Sequence, residues 1–423
     1  MKSGAASWLR RALLEDTSTS GTKFDTLDGL RGVAVLIVFL SHTSGAGQQL
    51  TPWTNFHGTG HLGVYLFFVL SGFLLGYSML HRPIHVGRFY LRRFFRIAPL
   101  YYTVLTVVFW IQQRTKHKDK TALFISDKWR GYWMHLLFYR GESVFWSVAA
   151  EFEFYFILPL FVLFLNRRGN RAAVTLSIVA VLYFLWALAV ATGRLPAADA
   201  PRLAAIAQPS QYLDVFLCGI LAAYVFTNKK AHHWYIAHKG WLNPASVILA
   251  LAVALVSAIG VGDDFFGLSR FLPIRFAVHY NAGGHFAIIP TGSGDELSGT
   301  ARFLPVIHSL SLGYGVAFSL ILLATLYGSP LLVRVFRFVP LRVMGVVGFS
   351  WYLIHLPLVR LVGRMYGAAA PQPVMFATSF LLVGTAAIIS YLVIEKPFMM
   401  MSRVFSGKRP VPATAPIESA APL

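Results

Sequence analysis

Two ionisable residues within one apolar stretch are the first candidates for chemistry. Arg31 and His42 lie eleven positions apart in this stretch, which starts near residue 31. Over that distance a helix turns about 20° past three full turns, so both side chains face the same side. The rise of about 16 Å predicts Arg31 at the mouth of a membrane pass and His42 near its middle. A charge at such a depth is costly and indicates function; the alternative is a snorkelling arginine and a histidine bonded to a neighbouring helix.

A second apolar stretch, near residues 145–165, carries two carboxylates. Glu151 and Glu153 point about 200° apart on a helix, so one cavity cannot hold both. If the stretch enters the membrane near Phe145, Glu151 lies within about 5 Å of the depth of His42. Glu151 would then orient the imidazole or share a proton with it, provided that the two helices are neighbours. The alternative for either glutamate is a structural ion pair with an arginine.

Two further groups have both a functional and a structural interpretation. His355 is predicted at almost the depth of His42, but it adjoins a helix-kinking proline, which favours a structural histidine. Arg92, Arg93 and Arg96 occupy adjacent turns at the entrance to a third apolar stretch, where guanidinium groups are able to grip a phosphate bidentately. A basic anchor on the cytoplasmic side of a membrane has the same composition.

The composition indicates what positions these groups. Of 423 residues, 56% are hydrophobic and 13% are charged, with one cysteine and a formal net charge of +20. These values exclude a soluble enzyme, a disordered chain and a disulfide scaffold. The basic residues lie between long apolar runs instead of forming the basic domain of a nucleic-acid binder. The pattern is that of a multi-pass membrane protein.

The apolar runs predict an all-α polytopic membrane protein with about ten transmembrane helices. The runs lie near residues 31–50, 62–80, 97–113, 145–165, 172–192, 211–227, 242–261, 306–327, 345–363 and 374–394. With the N-terminus inside, the cytoplasmic segments hold 23 of the 37 Lys and Arg residues. The positive-inside rule therefore predicts that both termini are cytoplasmic.

Two outward segments and the termini stand apart from the predicted membrane domain, 25–400. The segment 114–140 is strongly basic. It is either an outward platform for an anionic partner or a sign that the third pass is misplaced. Its residues 131–139 suggest an interfacial half-helix. The outward loop 262–305 is Gly-rich and is long enough to expect a function or disorder. We expect residues 1–24 to be a cytoplasmic segment without a cleaved signal peptide, and 401–423 to be a disordered cytoplasmic tail.

Several motifs occur together in order, and the chain resembles the acyltransferase-3 family of integral membrane O-acyltransferases, which O-acylate bacterial surface glycans and other acceptors. The motifs are Leu27-Asp-Gly-Leu-Arg31-Gly with His42, Gly63-Val-Tyr-Leu-Phe-Phe-Val-Leu-Ser-Gly-Phe-Leu, Arg93-Phe-Phe-Arg96, Trp146-Ser-Val-Ala-Ala-Glu151, Phe349-Ser-Trp-Tyr-Leu-Ile-His355 and Glu395-Lys-Pro. They span roughly residues 25 to 400. Some members carry a C-terminal extracytoplasmic esterase-like domain, whereas this sequence stops soon after the tenth run. We therefore expect catalysis from the membrane domain itself or from a partner protein.

The resemblance implies transfer of an acyl group, expected to be acetyl, from cytoplasmic acyl-CoA to a hydroxyl of an extracytoplasmic carbohydrate or glycolipid. Arg93 and Arg96 would hold the CoA phosphates, Arg31 would guide the donor, His42 would be the general base and Glu151 its acidic partner. A covalent acyl intermediate on His42 is an open alternative. We expect an integral plasma-membrane protein that contacts lipids and has neither a metal nor a nucleic-acid partner.

A different class of protein fits some of the same residues. In a proton-coupled transporter or a lipid-linked glycan flippase, His42, Glu151 and Arg31 would form a proton relay. The arginine cluster at 92–96 weighs against this alternative, because a proton relay does not require it. The acceptor, the acyl chain length and the oligomeric state are left open by the sequence.

Overall fold

The computed structural model of the protein describes residues 13–14, 24–51, 56–81, 85–114, 125, 128–139, 141–191, 212–257, 277–280, 286–289, 310–367 and 370–405. α-Helices dominate this part of the chain. They are α1 Asp25–Gly45, α2 Gly60–Leu80, α3 Val86–Arg114, α4 Lys128–Leu136, α5 Trp146–Arg168, α6 Asn170–Ala191, α7 Leu213–Thr227, α8 Lys229–Ser257, α9 Ser311–Leu326, α10 Pro330–Phe336, α11 Val339–Val346, α12 Gly348–Tyr366, α13 Gln372–Ser390 and α14 Lys396–Phe405. A 3-10 turn, Ser143–Phe145, precedes α5, and a π-helical segment, Tyr391–Glu395, joins α13 to α14.

The helices are those of a multi-pass membrane protein. Within the described residues six helices are long and apolar enough to cross a bilayer, and up to eight spans result if each of two bent pairs is one span. The bent pairs are α9 with α10, at 97°, and α11 with α12, at 81°. Two further apolar helices, over 170–186 and Leu213–Thr227, are shorter. The all-α membrane class predicted from the sequence is confirmed.

Small residues allow the central helices to approach closely. A β-carbon at Gly32 of α1 would overlap the backbone carbonyl of Leu341, in α11. A β-carbon at Gly219 of α7 would overlap the carbonyl of Val69, in α2. Such backbone contacts are the usual means of helix association where lipid removes the hydrophobic driving force between helices. They fix α1 and α2 in the middle of the bundle.

The first helix begins and ends earlier than the apolar run predicted. Its start at Asp25 is stabilised by two acidic residues in the first turn, which interact favourably with the positive end of the helix dipole. Asp25 also accepts a 2.5 Å hydrogen bond from Arg342. It ends at Gly45, just before Gly47, whose φ of +70° favours glycine. His42 therefore lies in the last turn of α1.

The third helix also extends past its predicted start. The run at 97–113 forms one helix with the preceding arginine segment, so that α3 begins at Val86 and continues through Pro99 to Arg114. Arg93 and Arg96 consequently lie within the helix rather than before it. The Thr103 hydroxyl donates to the carbonyl of Pro99 itself at 2.8 Å, a local side-chain contact at the proline turn of the helix.

The two outward segments are described in part. In 114–140 the short helix α4, Lys128–Leu136, lies against α3, where the hydroxyls of Tyr101 and Tyr102 donate to the carbonyls of His135 and Leu136 at 3.1 and 2.9 Å. In 262–305 two strands, β1 Ala277–Tyr280 and β2 Phe286–Ile289, pair antiparallel with Tyr280 opposite Phe286. The rest of that loop and most of the segments 1–24 and 401–423 lie outside the described residues.

Candidate active site

Two histidines from distant helices form the first part of the site. His42, in the last turn of α1, and His355, in α12, approach with Nδ1 of His42 3.1 Å from Nε2 of His355. Their ring centroids are 4.8 Å apart. His355 is fully buried and His42 is half-buried. Only His42 is therefore accessible to a substrate.

The hydrogen-bond partners of the pair assign its neutral tautomers. Nδ1 of His355 lies 2.6 Å from the carbonyl of Tyr352, and a carbonyl only accepts, so this nitrogen carries the hydrogen and Nε2 carries the lone pair. Nδ1 of His42 faces both that lone pair and the carbonyl oxygen of Val38, which is 3.0 Å away. Because both of these groups only accept hydrogen bonds, Nδ1 of His42 must donate. The tautomer of His42 that results presents an unprotonated Nε2. An imidazole of this kind is able to accept a proton from a hydroxyl group.

Three arginines form the second part of the site. The charges of Arg96, Arg93 and Glu151 all act on Arg31, so that α1, α3 and α5 meet at one polar cluster. Arg31 also donates to Asp28 at 3.1 Å, one turn away. The structure thus brings together Arg31, Arg93 and Arg96, which the sequence analysis singled out separately.

Glu151 belongs to this arginine cluster. Its Oε1 accepts hydrogen bonds of 2.6 Å from the hydroxyls of Ser71 and Tyr155. Among the described residues the hydrogen-bond partners of His42 are Val38 and His355, so the predicted contact between Glu151 and His42 is not formed there. The reason is packing, because α5 lies against α2 and α6, whereas α12 lies against α1.

A second carboxylate completes the cluster; the sequence analysis named it in a motif but gave it no role in the site. Glu395, at the end of the π-helical segment, is 3% exposed and accepts from Ser350 Oγ at 3.0 Å. Its charge interacts with those of Arg96 and Arg31. A lone acid at the end of a long apolar run was the available signal, and π-helical turns are frequent at functional sites.

The arginine cluster and the histidine pair are joined through α12 and α5. Ser350 and His355 are five residues apart on α12, a rise of about 7.5 Å. Between them the hydroxyl of Tyr352 accepts from Ser147 Oγ at 2.7 Å, and Ser147 lies one turn before Glu151 on α5. Polar side chains of α12 and α5 therefore lie between the two parts of the site.

An apolar cavity adjoins the arginine cluster. It has a volume of about 270 Å³ and lies between α3 and α5. Its lining consists of Gly87, Tyr90, Leu91, Arg93, Phe94, Phe152, Tyr155 and Phe156. The Arg93 guanidinium lies 6.0 Å from the ring centroid of Phe89 and 5.9 Å from that of Tyr155, and its Nε is buried without a hydrogen-bond partner. One cationic group thus borders an otherwise apolar chamber. Among the described residues no group of three His, Cys, Asp or Glu side chains is arranged to hold a metal ion.

The class of protein that carries this polar site follows from comparison with known proteins. The chain belongs to the acyltransferase-3 family: residues 24–395 match the family model, which is described as an acyltransferase domain. The family inferred from the motifs is thereby confirmed.

Individual relatives are distant. The chain is 24% identical over 368 residues to the peptidoglycan O-acetyltransferase OatA of Listeria monocytogenes, covering 82% of this chain and 51% of that protein. It is 22% identical over 401 residues to the O-acetyltransferase OatA of Staphylococcus aureus, covering 88% of this chain and 56% of that protein. The chain thus spans about half the length of these curated relatives. No solved structure matches it.

Proposed function

We propose that the protein transfers an acetyl group from cytoplasmic acyl-CoA to a hydroxyl of an extracytoplasmic carbohydrate or glycolipid. The observation that carries the proposal is the unprotonated Nε2 of His42, on a half-buried side chain backed by a fully buried imidazole. These relatives are named O-acetyltransferases, which supports the reaction type.

The proposed topology has ten passes in the plasma membrane with both termini cytoplasmic. The helices α2, α5, α7 and α9 occupy the second, fourth, sixth and eighth predicted passes, so all four begin on the outer side. His42, at the end of α1, lies on that same side, whereas Arg31 lies toward the cytoplasmic end. The donor and the acceptor would therefore reach the site from opposite faces of the membrane.

The donor binds at the arginine cluster in this proposal. Arg93 and Arg96 hold the phosphates of CoA, since a guanidinium pairs bidentately with phosphate. Arg31 guides the acyl arm inward. Glu151 positions this cluster through Tyr155 and Ser71, and it does so as a carboxylate that opposes the charges of Arg31 and Arg93. The apolar cavity beside Arg93 accommodates an apolar part of the donor.

His42 acts as the general base. Its Nε2 takes the proton of the acceptor hydroxyl while the oxygen attacks the thioester carbonyl, and the proton then passes to the departing CoA sulfur as the carbon–sulfur bond breaks. During attack the imidazolium of His42 donates through Nδ1 to Nε2 of His355, a hydrogen bond that becomes charge-assisted and stronger. His355 is thus a positioning residue for the base.

The test uses the purified protein in proteoliposomes with labelled acetyl-CoA. The parental protein is expected to release CoA and to transfer label, and His42→Ala is expected to abolish both at normal levels of inserted protein. His81→Ala is the matched control, because His81 makes the same contact to the carbonyl four residues back, with Tyr77 at 2.9 Å, but is exposed at the end of α2. Near-parental transfer by His42→Ala would overturn the assignment of the base. A parental protein that neither releases CoA nor acquires label would favour the transporter.

A further inference from the structure

A cluster of aromatic side chains occupies the ends at which α2, α5, α7 and α9 begin. Its members are His61 and Tyr65 of α2, Trp146 of α5, Tyr212 at the start of α7 and Tyr314 of α9. The ring centroid of Tyr65 lies 5.2 Å from that of Tyr212, 6.3 Å from that of Tyr314 and 5.4 Å from that of His61, and Trp146 lies 5.3 Å from Tyr212. Four helices from distant parts of the sequence thus converge on one aromatic cluster.

A buried carboxylate lies at the base of this aromatic cluster. Asp214, in the first turn of α7, is 1% exposed and its charge acts on Tyr65. Its Oδ2 accepts from Ser311 Oγ at 2.5 Å, and the backbone amides of Val215 and Asp214 also act on the carboxylate. Its Oδ1 is nevertheless buried without a partner at hydrogen-bond geometry within the described part of the chain. Buried carboxylate oxygens are normally satisfied, because an unpaired one has lost water without compensation. A donor from a ligand would supply the missing hydrogen bond.

The backbone of Tyr212 is strained. Its φ of 65° and ψ of 26° place a bulky aromatic residue in the left-handed region, which costs free energy for any residue with a β-carbon. Such outliers concentrate at ligand sites, where the surrounding structure holds them. Here the strained conformation directs the Tyr212 ring against those of Tyr65 and Trp146.

The aromatic cluster adjoins the base. A β-carbon at Gly60, the residue before His61, would lie 3.7 Å from Cε1 of His42. His61, Trp146 and Tyr212 are half-buried and form the rim of the aromatic cluster, whereas Tyr65 and Tyr314 are buried below them. The His61 end of this rim therefore lies close to the imidazole of His42.

We propose that the aromatic cluster and Asp214 form the acceptor subsite for one uncharged sugar ring. The sugar stacks on Trp146 and Tyr212, one of its hydroxyls donates to Oδ1 of Asp214, and a neighbouring hydroxyl faces His42. Aromatic faces suit the apolar faces of pyranose rings, and a buried carboxylate suits hydroxyl donors while it repels anions. The inference rests on the proposed function, and it assigns acceptor recognition to the bundle instead of the basic segment 114–140.

The experiment measures acetyl transfer in proteoliposomes to four acceptors. Two are neutral tetramers, chitotetraose and cellotetraose; the third is the anionic trigalacturonate; the fourth is hydroxylamine, a small nucleophile that needs no sugar subsite. Asp214→Asn is expected to raise the Michaelis constant for the neutral tetramers about ten-fold or more, because a charge-assisted hydrogen bond is lost. Transfer to hydroxylamine and the Michaelis constant for acetyl-CoA should stay within two-fold of parental. Glu153→Gln, a carboxylate of α5 outside the aromatic cluster, is the matched control.

A pair of variants at Tyr212 keeps the test decisive if Asp214→Asn does not fold. Tyr212→Asn removes the ring but retains a residue that tolerates positive φ, and Tyr212→Phe retains the ring. We expect the first to weaken use of the neutral tetramers by about ten-fold, in line with the loss of a stacking contact, and the second to stay near parental.

Each other outcome overturns one of the two proposals. The acceptor subsite is overturned if Asp214→Asn or Tyr212→Asn keeps parental kinetics with the tetramers. It is also overturned if a variant loses as much transfer to hydroxylamine as to the tetramers, or if the parental protein uses trigalacturonate alone. Parental transfer to hydroxylamine with no sugar accepted would do the same. A parental protein that transfers acetyl to none of the four and releases no CoA would overturn the proposed function itself.

Discussion

At the scale of single residues, burial separates the roles of the two histidines. Both imidazoles donate through Nδ1 to a backbone carbonyl of their own helix, His42 to Val38 and His355 to Tyr352. His355 is fully buried, and its remaining nitrogen is directed at His42. It has no route to a substrate, so its contribution must pass through the orientation and charge of His42.

The first prediction replaces His355. His355→Leu should lower the turnover number by about a hundred-fold, because the imidazolium of His42 loses its acceptor in the transition state. His355→Gln places an amide oxygen near the position of Nε2 and should recover about a tenth of the parental turnover. The Michaelis constant for acetyl-CoA should remain parental in both variants. The measurement is steady-state transfer in proteoliposomes, and equal activity of the two variants would contradict the positioning role.

The second prediction concerns the donor site. Arg93→Ala and Arg96→Ala should each raise the Michaelis constant for acetyl-CoA about ten-fold and lower turnover less, since phosphate contacts remote from the carbonyl add binding in ground and transition state alike. Lysine at either position should rescue only partly, because it lacks the bidentate fork.

The control for the donor site is Arg88→Ala, which removes an exposed arginine from the first turn of α3. It should leave the kinetics for acetyl-CoA unchanged. Parental donor affinity in Arg93→Ala and Arg96→Ala would show that these arginines only anchor the helix at the membrane surface.

At the scale of helices, backbone contacts at glycines fix the frame that carries the site. α2 packs against α7 where Gly72 and Gly219 allow close approach, because a β-carbon at Gly72 would overlap the carbonyl of Phe216. α1 packs against α11 in the same manner through Gly32. Backbone atoms have no rotamers with which to relieve an overlap, so these contacts specify which helices are neighbours.

The third prediction compares two glycines in helices. Gly219→Ala should destabilise the protein by about 1–3 kcal/mol, as overpacked sites do, because the added methyl group meets the backbone of Val69. Gly240→Ala, in α8, adds a methyl group to open space and should leave stability unchanged or raise it slightly. Thermal unfolding in detergent is the measurement. Equal unfolding temperatures for the two variants would show that the contact between α2 and α7 is not tight.

At the scale of the whole molecule, the distribution of charge predicts one orientation. The basic residues concentrate in the segments that ten passes would leave cytoplasmic, with 114–140 as the exception. The short helix α4 lies against the C-terminal half of α3, and Arg114 stacks on Trp110 at 3.9 Å. Aromatic contacts thus hold the described part of this basic segment against α3.

The fourth prediction tests that orientation with single cysteines. Cys218 is buried in α7, and Cys218→Ala provides a background without thiols. In that background a membrane-impermeant maleimide should label Ser293→Cys in intact cells, and should label Ser20→Cys and Ser406→Cys only after the membrane is opened, because the ten-pass topology places the first position outside and the other two inside. Labelling of Ser406→Cys in intact cells would exclude a cytoplasmic C-terminus.

The amino-acid sequence by itself determined the class of protein and most candidate residues. Charged groups are expensive in a bilayer, so the few that occur in apolar runs are visible in the linear sequence, as Arg31, His42 and Glu151 were. The ordered motifs around them were sufficient for the family. Periodicity also gave the common face of Arg31 and His42, because this depends only on the helix that carries both.

The tertiary structure alone decided which candidates meet. Spacing along one helix fixes depth and face, but the neighbour of each helix depends on contacts such as that of Gly219 with Val69, which are dispersed through the sequence. For this reason His42 meets His355, at a separation of 313 residues, while Glu151 joins the arginine cluster. The start of α1 was decided in the same way, since Asp25 pairs with Arg342 at a separation of 317 residues.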